Sequence, residues 1–113
     1  MSAHEQKYRA LIEKYSNLAM FEDVGLESFD QQGRFDEDTP FHVAAYSGEI
    51  EDLKQMLAFG VDINVVGGIG NTALHYAAMA DNRPLYEFLI INGALIKKND
   101  YGDLPCDLFD VSD

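Results

Sequence analysis

Residues Thr39–Ala45 read TPFHVAA, and residues Thr72–Ala78 read TALHYAA. Thr, His and the paired alanines recur at matching places, 33 residues apart. The match extends outward, with Gly60 answering Gly93 at the same interval. The two copies are DTPFHVAAYSGEIEDLKQMLAFGVDIN over 38–64 and NTALHYAAMADNRPLYEFLIINGALIK over 71–97. A fixed period of this length marks units that cannot bury an apolar face alone and stack to do so. A third, altered start follows from Gly102, GDLPCDLF, in which Leu104 stands for Thr and Asp107 for His.

Each copy reads as two short helices and a loop. Thr39 can cap a helix with its hydroxyl, and Pro40 then takes the first helical position, where its missing N–H is no loss. His42, three residues after the cap, can return a bond to the first turn, as in a capping box with imidazole in place of carboxylate. Thr72 and His75 repeat the device. Ala44, Ala45, Ala77 and Ala78 carry little side chain, so a neighbouring helix can approach closely. Gly48 ends the first helix. The second runs from about Ile50 to Phe59, with Ile50, Leu53 and Leu57 on one face and Met56 beside them. Gly60 stops it in a left-handed turn. In the second copy Pro84 opens the second helix, Leu85, Phe88 and Leu89 face inward, and Gly93 closes it. The linking stretches VVGGIG (65–70) and KNDY (98–101) have the composition of tight projecting turns.

Ahead of the copies, Tyr8, Leu11, Ile12, Tyr15 and Leu18 follow helical spacing and predict a helix over 4–19. An acidic, irregular connector follows, with Phe21, Leu26 and Phe29 expected to dock on the body. The expected organisation is an N-terminal cap over 1–37, repeats at about 38–70 and 71–101, and a partial repeat over 102–113.

Composition narrows the partners. Twenty Asp and Glu oppose eight Lys and Arg, giving −12 formal charge. Such a surface repels phosphate backbones and anionic lipids, which argues against nucleic acid and membrane and favours a basic protein. With 47% hydrophobic residues among 113, one packed domain is expected. No apolar run is long enough to span a membrane, and the charged N-terminus lacks a signal-peptide centre. With one cysteine, Cys106, the expected location is the cytoplasm.

Chemical readings are weak by comparison. His42 and His75 could be ligands or bases, but in a T-x-x-H start they read as scaffold. Cys106 is followed by no His and reads as a packing thiol. Gly67-Gly68-Ile69-Gly70 lacks the G-K-[ST] of a phosphate loop and reads as a sharp turn. Asn99, Asp100 and Asp103 echo a calcium loop with the wrong spacing. Asp107, Asp110 and Asp113 read as a solvated tail. No catalytic residue, cofactor or metal is expected.

The pattern T-P-F-H-V-A-A, followed by G-x-I-x-x-L-x-x-M-L and G-V-D-I-N, resembles an ankyrin repeat. Ala73 departs from the pattern's proline, Asp81-Asn82 from its Gly-His, and the turn before Gly102 is one residue short. The resemblance implies an all-α ankyrin-repeat solenoid of stacked helix-turn-helix units, here with an N-terminal capping helix. It assigns Thr39, His42, Thr72, His75, Gly60 and Gly93 to the repeat scaffold. It also implies protein binding through the turn tips and the exposed side of the first helices. Here those positions are Gly68, Ile69, Asn71, Tyr101 and Asp103 on the turns, and Tyr46, Ser47, Met79 and Ala80 on the helices. A small, very acidic ankyrin domain is further similar to ankyrin-type immunity proteins of bacterial toxin systems. That likeness implies an inhibitor of one basic toxin. An intracellular scaffold or regulatory adaptor is the alternative, and a metal-binding or enzymatic protein the third reading.

Overall fold

The computed structural model describes residues 2–18, 21, 25–33 and 38–109. Residue 19, parts of the connector and the Asp110 and Asp113 tail lie outside them; the first helix, expected to reach 19, ends at Ser16 with Asn17 as its cap, which leaves Leu18 beyond it. The helices are α1 (Ala3–Ser16), α2 (Pro40–Ser47), α3 (Ile50–Ala58), α4 (Ala73–Met79) and α5 (Arg83–Ile91), followed by a 3-10 turn, Pro105–Leu108. There is no strand among the described residues, and no helix among them is long and apolar enough to cross a membrane.

Local chemistry sets the helix ends. Ser2 accepts the Glu5 N–H and starts α1. At α2 the Thr39 N–H donates to His42 Nδ1 at 3.1 Å, and the His42 N–H donates back to Thr39 Oγ1 at 3.3 Å. Pro40 brings no N–H, so two of the three remaining donors at this helix start are thereby satisfied. Gly48 closes α2 at φ +75°. The same place in the second unit holds Asp81, which adopts φ +54° despite its side chain. The closures are alike: Glu49 N–H donates to Ala44 O, and Asn82 N–H to Ala77 O, each at 2.9 Å. Asn82, where the family pattern has His, caps α5 by accepting the Leu85 N–H at 3.1 Å. The third unit keeps half of the box. Asp107 accepts the Leu104 N–H at 2.9 Å, so it caps the start of the 3-10 turn while staying exposed, as the reading of a solvated carboxylate expects.

α2, α4 and the 3-10 turn stack as one layer, and α3 and α5 pair with α2 and α4. The four alanines are fully buried in the layer contacts, as their size requires. Phe41, Leu53, Met56, Leu74, Leu85 and Leu89 fill the core. Phe21, Leu26 and Phe29 are buried against it, and Phe41 N–H donates to Phe29 O at 3.1 Å, tying the connector to the first unit. One buried carboxylate was unforeseen. Asp52 on α3 receives Lys14 Nζ at 2.6 Å and the Tyr15 hydroxyl at 2.8 Å, both from α1. These bonds hold the Lys14 ammonium above its ordinary pKa, while burial first, and Asp52 second, raise that of Tyr15. Among the described residues no buried side-chain N or O is left without a partner.

Candidate binding surface

The two histidines are spent on scaffold. His42 Nδ1 accepts from the Thr39 N–H, so its other nitrogen carries the proton and donates to Val65 O at 2.9 Å. His75 Nδ1 accepts from the Thr72 N–H at 3.0 Å, and Nε2 reaches Asp103 O at 3.0 Å. Each imidazole thus joins the start of its own unit to the turn beyond it. Burial lowers the pKa of His42, against the smaller opposing effects of the Val65 carbonyl and Asp38. With both ring nitrogens committed, neither ring is placed as a ligand or base. Among the described residues no group of three His, Cys, Asp or Glu could hold a metal ion.

The turns follow a 32-residue offset, the one-residue shortfall seen in the sequence. Gly67 N–H donates to Asn71 O, and Asn99 N–H to Asp103 O, each at 2.9 Å. The turns then dock on one another. Asn99 Nδ2 donates to Asn71 Oδ1 at 2.8 Å, and Asp100 N–H to Ile69 O at 2.9 Å. Gly70, at φ +75°, is the point of closest approach: a Cβ there would lie 2.6 Å from Asp100 Oδ1.

This docking divides the proposed contact residues. Tyr46 and Tyr101 are 56% and 73% exposed, and Ile69, Met79, Ser47 and Ala80 are exposed as well. Gly68 and Asp103 are half-buried. The Asp103 backbone is occupied on both sides, its N–H donating to Asn99 Oδ1 and its carbonyl meeting His75. Asn71 departs from the expectation of a tip residue: it is 3% exposed and its side chain is bonded to Asn99. Cys106 departs too, being exposed rather than packed. In its short 3-10 turn the neighbouring Pro105 takes the buried place.

Two features were not anticipated. Tyr76 on α4 faces Tyr46 on α2, ring centroids 6.3 Å apart at 86°, and its hydroxyl donates to Asp38 Oδ1 at 2.6 Å. These residues, with His42 and Val43, line a cavity of about 220 Å³. The available signal was register, since Tyr76 answers Val43 and Asp38 answers Asn71 at the 33-residue interval. The second feature is an apolar stripe on the exit from α5, where Ile91, Leu95 and Ile96 are exposed.

Residues 4–100 match the family described as ankyrin repeats in three copies, and the chain belongs to that family. The match begins inside α1, ahead of the first complete helix pair. A stretch of 78 residues, 65% of this chain and 11% of the relative, is 33% identical to a putative ankyrin repeat protein of Acanthamoeba polyphaga mimivirus. Over 70 residues, 61% of this chain and 46% of the relative, it is 39% identical to human protein phosphatase 1 regulatory subunit 27. The putative ankyrin repeat protein YahD of Escherichia coli is 39% identical over 59 residues, 52% of this chain and 29% of the relative. The chain spans less than half the length of each of these relatives.

Proposed function

We propose that the chain is a non-enzymatic binding module for another protein, and that its partner is basic. The observation that carries this reading is the row of exposed Tyr46, Met79, Ile69 and Tyr101 on first helices and turns whose own polar groups are internally satisfied. Aromatic and Met side chains held on a rigid frame are the usual anchors of an interface. Their setting is a chain of −12 formal charge, which speeds encounter with a cation and penalises an anion. The finer reading is an inhibitor of the immunity type. In it the acidic module covers the basic cleft of a toxin in the cytoplasm, where its exposed Cys106 thiol stays reduced.

A regulatory adaptor is the second reading, favoured by the 39% identity to a protein phosphatase 1 regulatory subunit. Affinity capture from the source cell, followed by identification of the bound protein, separates the two. A basic toxin supports the immunity reading, and a phosphatase or other enzyme supports the adaptor. For either partner, Tyr46→Ala or Tyr101→Ala is expected to weaken binding by about 2 kcal/mol, roughly thirtyfold, with the melting temperature unchanged. The association rate is expected to fall steeply as salt rises. Loss of folding in both variants would return these tyrosines to the core, and a salt-independent rate would remove the charge from the explanation.

A further inference from the structure

The second helices of the two units close alike. Gly93 donates its N–H to Ile90 O at 3.1 Å, and Ala94 N–H donates to Leu89 O at 3.0 Å. In the first unit Gly60 N–H donates to Leu57 O at 3.0 Å, and Val61 N–H to Met56 O at 3.1 Å. Both glycines sit at φ +100°, which a side chain would strain, so this closure demands glycine. The residue before it is free to vary. It is Phe59 in the first unit and Asn92 in the second, and Asn92–Gly93 is the one Asn-Gly pair of the sequence. Asn92 and Gly93 are both exposed, and Asn92 Nδ2 donates to Phe88 O at 2.7 Å.

A side-chain amide can be attacked by the backbone nitrogen that follows it. Gly93 N bonds to Asn92 Cγ, the Cγ–Nδ2 bond breaks, and Nδ2 leaves as ammonia with the proton from Gly93 N. Water then opens the resulting succinimide. Opening at Cγ leaves aspartate; opening at the main-chain carbonyl leaves isoaspartate. Glycine as the attacking residue has no Cβ to obstruct the ring. The native turn opposes this step, because Gly93 N–H is committed to Ile90 O, Asn92 Nδ2 to Phe88 O, and Asn92 is held at ψ 12°. The last turn of α5 must therefore open first. Little apolar burial resists that opening: Ile90, Ile91, Leu95 and Ile96 around the turn are all exposed.

We propose that Asn92 is a self-modification site, converted in the folded protein to aspartate or isoaspartate whenever the last turn of α5 opens. The product changes the face on which it stands. Residues 88–99 contain two Lys and no Asp or Glu, so the new carboxylate is the first in that stretch and lies between Ile91 and Leu95. It removes the donor to Phe88 O and sets an anion at a helix C-terminus, where the helix dipole disfavours it. Isoaspartate goes further: its extra main-chain methylene puts the Gly93 and Ala94 N–H groups out of register with Ile90 and Leu89. The proposal stands apart from the protein-binding reading and survives or fails without it.

The test is incubation of the chain at mildly alkaline pH, once folded and once in guanidinium chloride. Peptide mass spectrometry reads conversion at each asparagine as the mass difference between water and ammonia, and an isoaspartate-specific methyltransferase separates the two products. In the folded chain product is expected to accumulate at Asn92 ahead of Asn64, Asn71, Asn82 and Asn99, and more slowly than in denaturant. Asn92→Gln, whose longer side chain closes a ring poorly, is expected to abolish it. Asn92→Asp supplies the aspartate product directly and is expected to speed hydrogen exchange of the Gly93 and Ala94 N–H groups about two- to fivefold. No conversion at Asn92 in the folded chain while the denatured chain converts, or equal conversion at another asparagine, overturns the proposal. Equal rates folded and denatured would remove the opening step, and unchanged exchange in Asn92→Asp would remove the effect on the helix end.

Discussion

At the exit from α3 the chain turns through Phe59, whose ring lies against His4, Tyr8 and Phe29 at centroid distances of 4.7, 5.0 and 5.9 Å. At the corresponding exit from α5 the chain presents Ile91, Leu95 and Ile96, with Ile91 82% exposed. The two units share one register, and their second helices are each nine residues long. The residues at the two exits differ, Phe59 answering Asn92 and Ala58 answering Ile91, and so do the neighbours. Ile63 in the first unit is half-buried, since the next unit's loop is held over this region by Asn64 Oδ1, which accepts the Leu95 N–H at 2.8 Å. Ile96 is the same position 33 residues on and is exposed. At this pair burial follows position in the array, whereas Ile91 and Leu95 answer Ala58 and Asp62, which are exposed as well, so there the difference is one of residue type.

The most damaging way to break this comparison is at the N-terminal end. Phe29 is 1% exposed and touches both Tyr8 and Phe59. Its loss leaves a cavity between the connector, α1 and the first unit. Phe29→Ala is expected to cost about 3–4 kcal/mol, read as a lower urea midpoint. A loss below about 1 kcal/mol would mean that the N-terminal segment contributes little to holding the array closed.

The same contrast explains what could be read from the sequence. Thr39, His42, Thr72, His75, Gly60 and Gly93 were legible because a cap or a left-handed turn is decided within three or four residues. The fold followed from repeating those signals at 33. Asp52 was not legible, because a carboxylate inside a helix reads as a solvated face. Its burial depends on Lys14 and Tyr15, whose bonds to it span 38 and 37 residues. Asn71 was misplaced for the same reason: its partner Asn99 belongs to the next turn. Of the surface, the exposure of Tyr46 and Tyr101 could be expected from repeat position. Tyr76 and Asp38 could not, because the pocket exists only where two units meet.

Between the two ends lies the joint held by His42, and pH tests it when wild type is compared with a variant lacking that ring. Burial keeps the folded pKa of His42 below its ordinary value of about 6.5. The unfolded chain then binds the proton more readily, so stability is full above about pH 6.5 and falls as pH drops toward the folded pKa. The limiting slope for one proton is about 1.4 kcal/mol per pH unit. Urea midpoints at about pH 7.5 and about pH 6 are expected to differ more in the wild type than in His42→Gln, since carboxylates titrate lower. Equal differences would show that His42 takes up its proton as easily folded as unfolded.

The smallest expected effect is at the C-terminal end. Among the described residues Ile91 is the most exposed of the large apolar side chains, and it follows the last core leucine of α5, Leu89, by two residues. A side chain already in water has little transfer energy to lose, so Ile91→Ser is expected to change stability by no more than about 0.5 kcal/mol. The measurement that sharpens the comparison is the melting temperature of wild type and variant at two protein concentrations. Concentration-independent melting in both fits an open end. A wild type that melts higher when concentrated, with the rise abolished by Ile91→Ser, would mean that copies cover this stripe in solution, because only association makes stability depend on concentration. The two ends would then differ in what closes them: the chain's own aromatic residues at one, and a second chain at the other.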